Sequence, residues 1–161
     1  MKRLPAILFA TVLLFTLTAC RTHTYTDATT GEALALVALE GLPNESGYTA
    51  ADQDALQDYF EMPDFVRDYR VYFSADRNNL DEIGIFHVME GHAKEMQVLL
   101  RTYLAQSLED HRAWYDSYIP QETPKLRDAE VRIFGNYAVY AILSDDAKTV
   151  FFDAVERALK V

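Results

Sequence analysis

The chain has one cysteine, Cys20, and it stands at the end of an uncharged apolar run. No disulfide can form within the chain, so any domain that follows must be held by its own core. The run opens on Lys2-Arg3 and extends from Leu4 to Ala19, built largely of Leu, Ile, Val, Phe and Ala. A basic pair, a short apolar stretch and small residues before a break make the pattern of an export signal. A membrane-spanning helix needs about 20 apolar residues, whereas this run gives way at Cys20 to the polar Arg21-Thr22-His23-Thr24-Tyr25-Thr26. Residues 1–19 are therefore read as a signal peptide, and the fold is expected downstream of them.

Leu17-Thr18-Ala19-Cys20 resembles the lipobox of bacterial lipoproteins. That resemblance implies cleavage before Cys20, a diacylglycerol on its sulfur and an address on the extracytoplasmic side of the cell membrane. Acyl chains add about 0.8 kcal/mol per buried methylene, so two or three hold a protein at a membrane where one does not. Residues 20–30 are Thr-rich without apolar periodicity, as expected of a flexible tether, and residues 31–161 are expected to form a single domain. A domain of that length buries roughly two thirds of its unfolded surface. The formal net charge is -10, and it becomes -12 once Lys2 and Arg3 leave with the signal. So acidic a chain is repelled by phosphate backbones, and no nucleic-acid partner is expected.

Within the domain, residues 32–40 are good helix formers stopped by Gly41-Leu42-Pro43. A second helix is expected to open on Thr49-Ala50-Ala51-Asp52 and run to Phe60, with Pro63 barring its continuation. The period then changes to two. Tyr69, Val71 and Phe73 alternate with Arg70, Tyr72 and Ser74, a polar turn follows, and a second apolar run covers 83–89. A long helix is expected over 92–118, with Met96, Leu100, Tyr103, Leu104, Leu108 and Tyr115 as its apolar stripe and Pro120 beyond its end. Strands over 129–134 and 137–143 flank the turn Gly135-Asn136, and Ser144-Asp145-Asp146 caps a last helix to about Leu159. The expected fold class is α+β: two N-terminal helices, then two hairpin-plus-helix units (ββαββα) giving a four-stranded antiparallel sheet with the helices on one face.

The Cys20 lipobox, Asp81-Glu82 before Ile83-Gly84-Ile85-Phe86, the helix end Tyr118-Ile119-Pro120 and Gly135-Asn136-Tyr137-Ala138-Val139 occur in this order. In these features the chain resembles the bacterial lipoprotein domain of unknown function family 4358 over nearly all of its mature length. The resemblance implies an exported, membrane-tethered domain and names no activity or ligand.

Candidate chemistry is sparse. His87, Glu90 and His92 are the residue types of a metalloprotease helix, but that chemistry needs one unbroken helix, and Gly91 falls where a strand passes into a helix. No metal site is expected. Asp52, Asp54, Asp58, Glu61, Asp64 and Asp68 lack the central Gly of a calcium loop and read as a solvated helix face. Ser107 or Ser117 with His111 lacks a Gly-flanked elbow and a third partner. Trp114 and Tyr115 read as packing or surface anchors. No catalytic residue and no cofactor is therefore expected. Asp81 and Glu82 are the carboxylates hardest to dismiss, and a structural role is expected for them, accepting turn N–H groups or pairing with Arg70 or Arg132 across the sheet.

Two function classes follow. The first is a noncatalytic binding or accessory module at the cell surface, and the second an envelope or extracellular hydrolase with an unrecognised site. The first is preferred, because no recognisable motif places a nucleophile, base or metal ligand. If it is a binding module, its expected surface is the sheet face turned from the helices, carrying Arg70, Tyr72, Arg132 and Tyr140, side chains that often anchor a protein partner; the alternatives are that these residues only cover the back of the sheet or that the face is buried in a homodimer. The run 83–89 fits either face, since both of its sides are apolar.

Overall fold

The computed structural model describes residues 24–43, 47–52, 56 and 61–161. Cys20 and most of the helix expected up to Phe60 lie outside the described residues. The elements are α1 (Gly31–Leu39), β1 (Tyr48–Ala50), β2 (Val66–Ser74), β3 (Glu82–Val88), α2 (Ala93–Tyr118), α3 (Thr123–Arg127), β4 (Glu130–Phe134), β5 (Tyr137–Ile142) and α4 (Asp145–Leu159). Two helices open on side-chain caps that satisfy otherwise orphaned amides. Thr30 Oγ1 accepts from the Ala33 amide at 3.2 Å, and Ser144 Oγ from Ala147 at 3.4 Å.

The strands form one five-stranded antiparallel sheet in the order β1-β2-β3-β5-β4. The expected four-stranded ββαββα arrangement with helices on one face is overturned in two respects. Thr49 and Ala50, expected to open a helix, lie in β1 opposite Phe73 and Tyr72. Tertiary pairing along the open edge of β2 outweighs the local helix preference of Ala there. The second correction concerns the faces. Leu34 and Ala38 of α1 and Phe151 and Val155 of α4 pack with Ile83, Ile85 and Val139 on one side. Met96, Leu100 and Leu104 of α2 pack with Phe86, Ala138 and Tyr140 on the other. Every residue of the adjacent central strands β3 and β5 is buried, and a sheet apolar on both sides needs cover on both.

Residues 24–30 lie against this body. Tyr25 pairs with Lys160 and stacks edge-on to Phe134 at 5.8 Å, and the Tyr137 hydroxyl donates to the Thr29 carbonyl at 2.6 Å. No helix among the described residues is long and apolar enough to cross a membrane.

Candidate functional site

The four side chains expected to share a docking face are not brought together. Tyr72 is 8% exposed and packs on the α1/α4 side, whereas Tyr140 is fully buried on the α2 side. The reason is register: Tyr72 faces Ile83 across β2 and β3, and Ile83 faces Ala141, not Tyr140, across β3 and β5. Alternation therefore sends the two tyrosines to opposite faces. Arg70 reaches Glu32 of α1 at 3.1 Å, and Arg132 pairs with Glu130 at 2.8 Å while lying 4.2 Å from the ring centroid of Phe152. Both arginines thus serve the face covered by α1 and α4, and among the described residues they share no open sheet face with Tyr72 and Tyr140.

Asp81 and Glu82 find partners other than the expected Arg70 and Arg132. Asp81 accepts from Lys125 Nζ at 2.8 Å and from the Tyr48 hydroxyl at 3.2 Å, tying the start of β3 to α3 and β1. Burial pulls the Lys125 ammonium down, but its hydrogen bonds to Asp81 and Glu122 outweigh that and leave its pKa above the usual value.

Glu82 points the other way, under α2, and is only 9% exposed. Its Oε1 accepts from the Tyr103 hydroxyl at 3.0 Å and from the Tyr140 hydroxyl at short range. Its Oε2 receives no hydrogen bond from the described residues. Burial pushes the carboxyl up to about 7, against the pull of both tyrosines. Burial, and next the Glu82 charge, hold the Tyr140 and Tyr115 phenols above their ordinary value. Glu82 lines a cavity of about 520 Å³, with Leu56, Phe73, Tyr103 and, from the next turns of α2, Ser107, Asp110, His111 and Tyr115 around it. That volume is within the range of small-molecule sites. Tyr103 belongs to the apolar stripe of the sequence reading, and only the fold reveals that its hydroxyl serves Glu82.

The histidines of 87–92 diverge. His87 lies between two carboxylates, Nε2 at 2.7 Å from Asp27 and Nδ1 at 3.0 Å from Asp68, stacked 4.4 Å from Tyr137. His92 sits at the start of α2, stacked 4.6 Å from Phe65, and Gly91, with a φ of 89°, turns the chain between them. Asp27 is partly desolvated, but His87, Asn136 and Arg67 hydrogen-bond it and hold its carboxyl down at about 2. No group of three or more His, Cys, Asp or Glu residues is arranged to hold a metal ion among the described residues. Ser144 caps α4 with Asp145 and Asp146 in its first turn, and Asp145 also holds the buried Lys148 at 2.9 Å.

The fold and site thus define a class: a small antiparallel sheet clad by helices on both faces, with one buried carboxyl at the floor of an aromatic and polar cavity. The chain belongs to the family described as Domain of unknown function (DUF4358), whose model matches residues 43–143, more than half of the sequence. The matched span runs from just before β1 to the residue before the Ser144 cap and includes Glu82, Tyr103, His111 and Tyr140. No curated protein and no solved structure matches the chain.

Proposed function

We propose that this chain is an exported lipoprotein anchored through lipid on Cys20 to the extracytoplasmic side of the cell membrane, and that its domain is a noncatalytic binding module whose site is the cavity over Glu82. The observation that carries the binding reading is the floor of that cavity. A nearly buried carboxyl spends one oxygen on two tyrosines, and the other, without a hydrogen-bond donor among the described residues, opens on the cavity. An ionised oxygen so placed is costly unless something occupies the space in front of it.

Orientation supports the same reading. Residues 24–30 dock at the His87 end of β3, through Asp27, and Glu82 is at the opposite end of that strand. With lipid on Cys20, the chain between it and Thr24 reaches at most about 14 Å. The domain would then stand close to the lipid, with the Glu82 end of the sheet directed away from it.

Replacing Cys20 by Ala should abolish palmitate labelling and release the protein from the membrane fraction. Unchanged labelling and fractionation would refute the anchor. For the site, a fragment collection examined by amide NMR should move the resonances of Tyr103, Ser107 and His111 together; shifts confined to other regions would refute it.

The second reading, an envelope or extracellular hydrolase, is favoured by one observation: a carboxyl near 7 has the affinity a general acid or base needs at neutral pH. Against it, Ser107 and His111 line the cavity without a hydrogen bond between them, so no activated nucleophile is assembled. Substrate turnover lost in Glu82→Gln would favour this reading over the first.

A further inference from the structure

The cavity over Glu82 has a neighbour of about 720 Å³, lined by Glu61, Asp64 and Phe65 before β2 and by Glu95 and Met96 of α2. Tyr103 and Gln106 line both, so the two adjoin along α2 as one groove, bounded by Glu61 to Phe65 at one end and by Leu56, Phe73 and Glu82 at the other. Among the described residues five carboxyl groups line it, those of Glu61, Asp64, Glu82, Glu95 and Asp110, and no Lys or Arg. Four aromatic residues line it as well: Phe65, Phe73, Tyr103 and Tyr115.

We infer that this groove binds a small organic ammonium ion, its cationic end against Glu82 Oε2 and its carbon skeleton against Phe73, Tyr103 and Tyr115. The inference rests on the cavity being the binding site and adds the chemistry of what fills it. An ammonium group supplies the donor that Oε2 lacks among the described residues, and desolvated aromatic faces attract the same charge. An anion would meet five carboxyl groups without a basic counterpart, and a neutral ligand would leave Glu82 uncompensated whenever it is ionised. A bare metal ion needs several converging oxygens or nitrogens, and no such group exists among the described residues. The net charge of -10 would also steer a cation inward.

Glu82 provides an independent signature. Facing it are Tyr140 from β5 and Tyr103, Asp110, His111 and Tyr115 from α2, none of them a permanent cation. Its carboxyl is held near 7 by burial, and a bound cation favours the ionised form. Binding should therefore release a proton at pH 6 to 7 and tighten as the pH rises from 6 to 8.

The test uses the full chain in detergent micelles and three four-carbon probes: putrescine, butanediol and succinate. Calorimetry and amide NMR should show putrescine alone moving Tyr103, Ser107 and His111, with proton release and tighter binding at the higher pH. Glu82→Gln should weaken it about tenfold or more, and Asp110→Asn, at the rim, by a few-fold. If butanediol or succinate moves those resonances as strongly, the ammonium inference fails while the cavity stands as the binding site. If none of the three moves them, both fail. Putrescine shifts spread over the acidic surface and abolished at physiological salt, or an affinity unchanged in Glu82→Gln, also overturn the inference.

Discussion

Gly84→Ala should lower the unfolding free energy by about 3 kcal/mol, the upper end of what overpacking a filled core costs, and should detach Tyr140 from Glu82. Gly84 and Tyr140 are directly opposed across β3 and β5, and the tyrosine ring lies over the glycine. A Cβ at position 84 would come 2.0 Å from Tyr140 Cε1, so the ring must leave. It has nowhere near to go. Phe86 and Tyr103 stand with ring centroids 6.2 and 5.9 Å away, and the hydroxyl is committed to Glu82. Displacing Tyr140 also strips Glu82 of one of its two donors, which adds an unsatisfied buried group to the steric cost. Urea unfolding measures the sum. Shrinking the ring in a Gly84→Ala, Tyr140→Leu double variant should return part of the loss, since the clash goes while the lost hydrogen bond does not. A single variant within about 1 kcal/mol of wild type would contradict the packing described here.

The same register explains which parts of the architecture were legible. The strands at 69–73, 83–89, 129–134 and 137–143 and the helices at 92–118 and to 159 rest on local periodicity and punctuation, such as Pro120 and Ser144. The structure has elements at each of these places, with ends moved by a few residues. Where helices lie relative to the sheet is not local. Both sides of 83–89 are apolar, which is the sign in the sequence that this strand is covered twice and is at odds with a sheet that leaves one face open. β1 had no such sign, because three residues make too short an alternation to compete with the helix preference of Ala50 and Ala51.

The candidate site was legible in one residue and not in its neighbours. Asp81-Glu82 stood out as a carboxylate pair ahead of an apolar strand, but the expected arginine partners required a pairing across the sheet that a single sequence does not specify. Tyr103 and His111 lie more than 20 residues from Glu82 and meet it only because α2 folds back along the sheet. Alternation along each strand correctly separated Tyr72 from Val71 and Tyr140 from Val139. What it lacks is the offset between β2 and β5, two strands that never touch, and a shift of one residue there exchanges the faces.

Glu82 should make this protein lose stability as the pH rises, over a window in which most carboxylates are silent. In the folded chain its carboxyl is held near 7, against an ordinary value of 4.5. Between those values the native state keeps a proton that the unfolded chain has released, so unfolding becomes easier as the pH climbs from 4.5 to 7 and changes no further above that. The raised value corresponds to about 3 kcal/mol across the window. Asp27 acts with the opposite sign and elsewhere: held at about 2, it contributes stability above its ordinary value of 3.8 that is lost as the pH falls toward 2. Glu82→Gln removes the first effect and leaves the second. The amide oxygen can still accept from Tyr103 and Tyr140, and no charge need be buried. Urea unfolding at pH 4.5 should therefore find variant and wild type similar, and at pH 7.5 should find the variant more stable by about 3 kcal/mol. Parallel profiles for the two proteins would mean that Glu82 titrates normally and that its burial carries no penalty. A variant that gains this stability while losing putrescine would identify the carboxyl as a group held at the expense of the fold for what it binds.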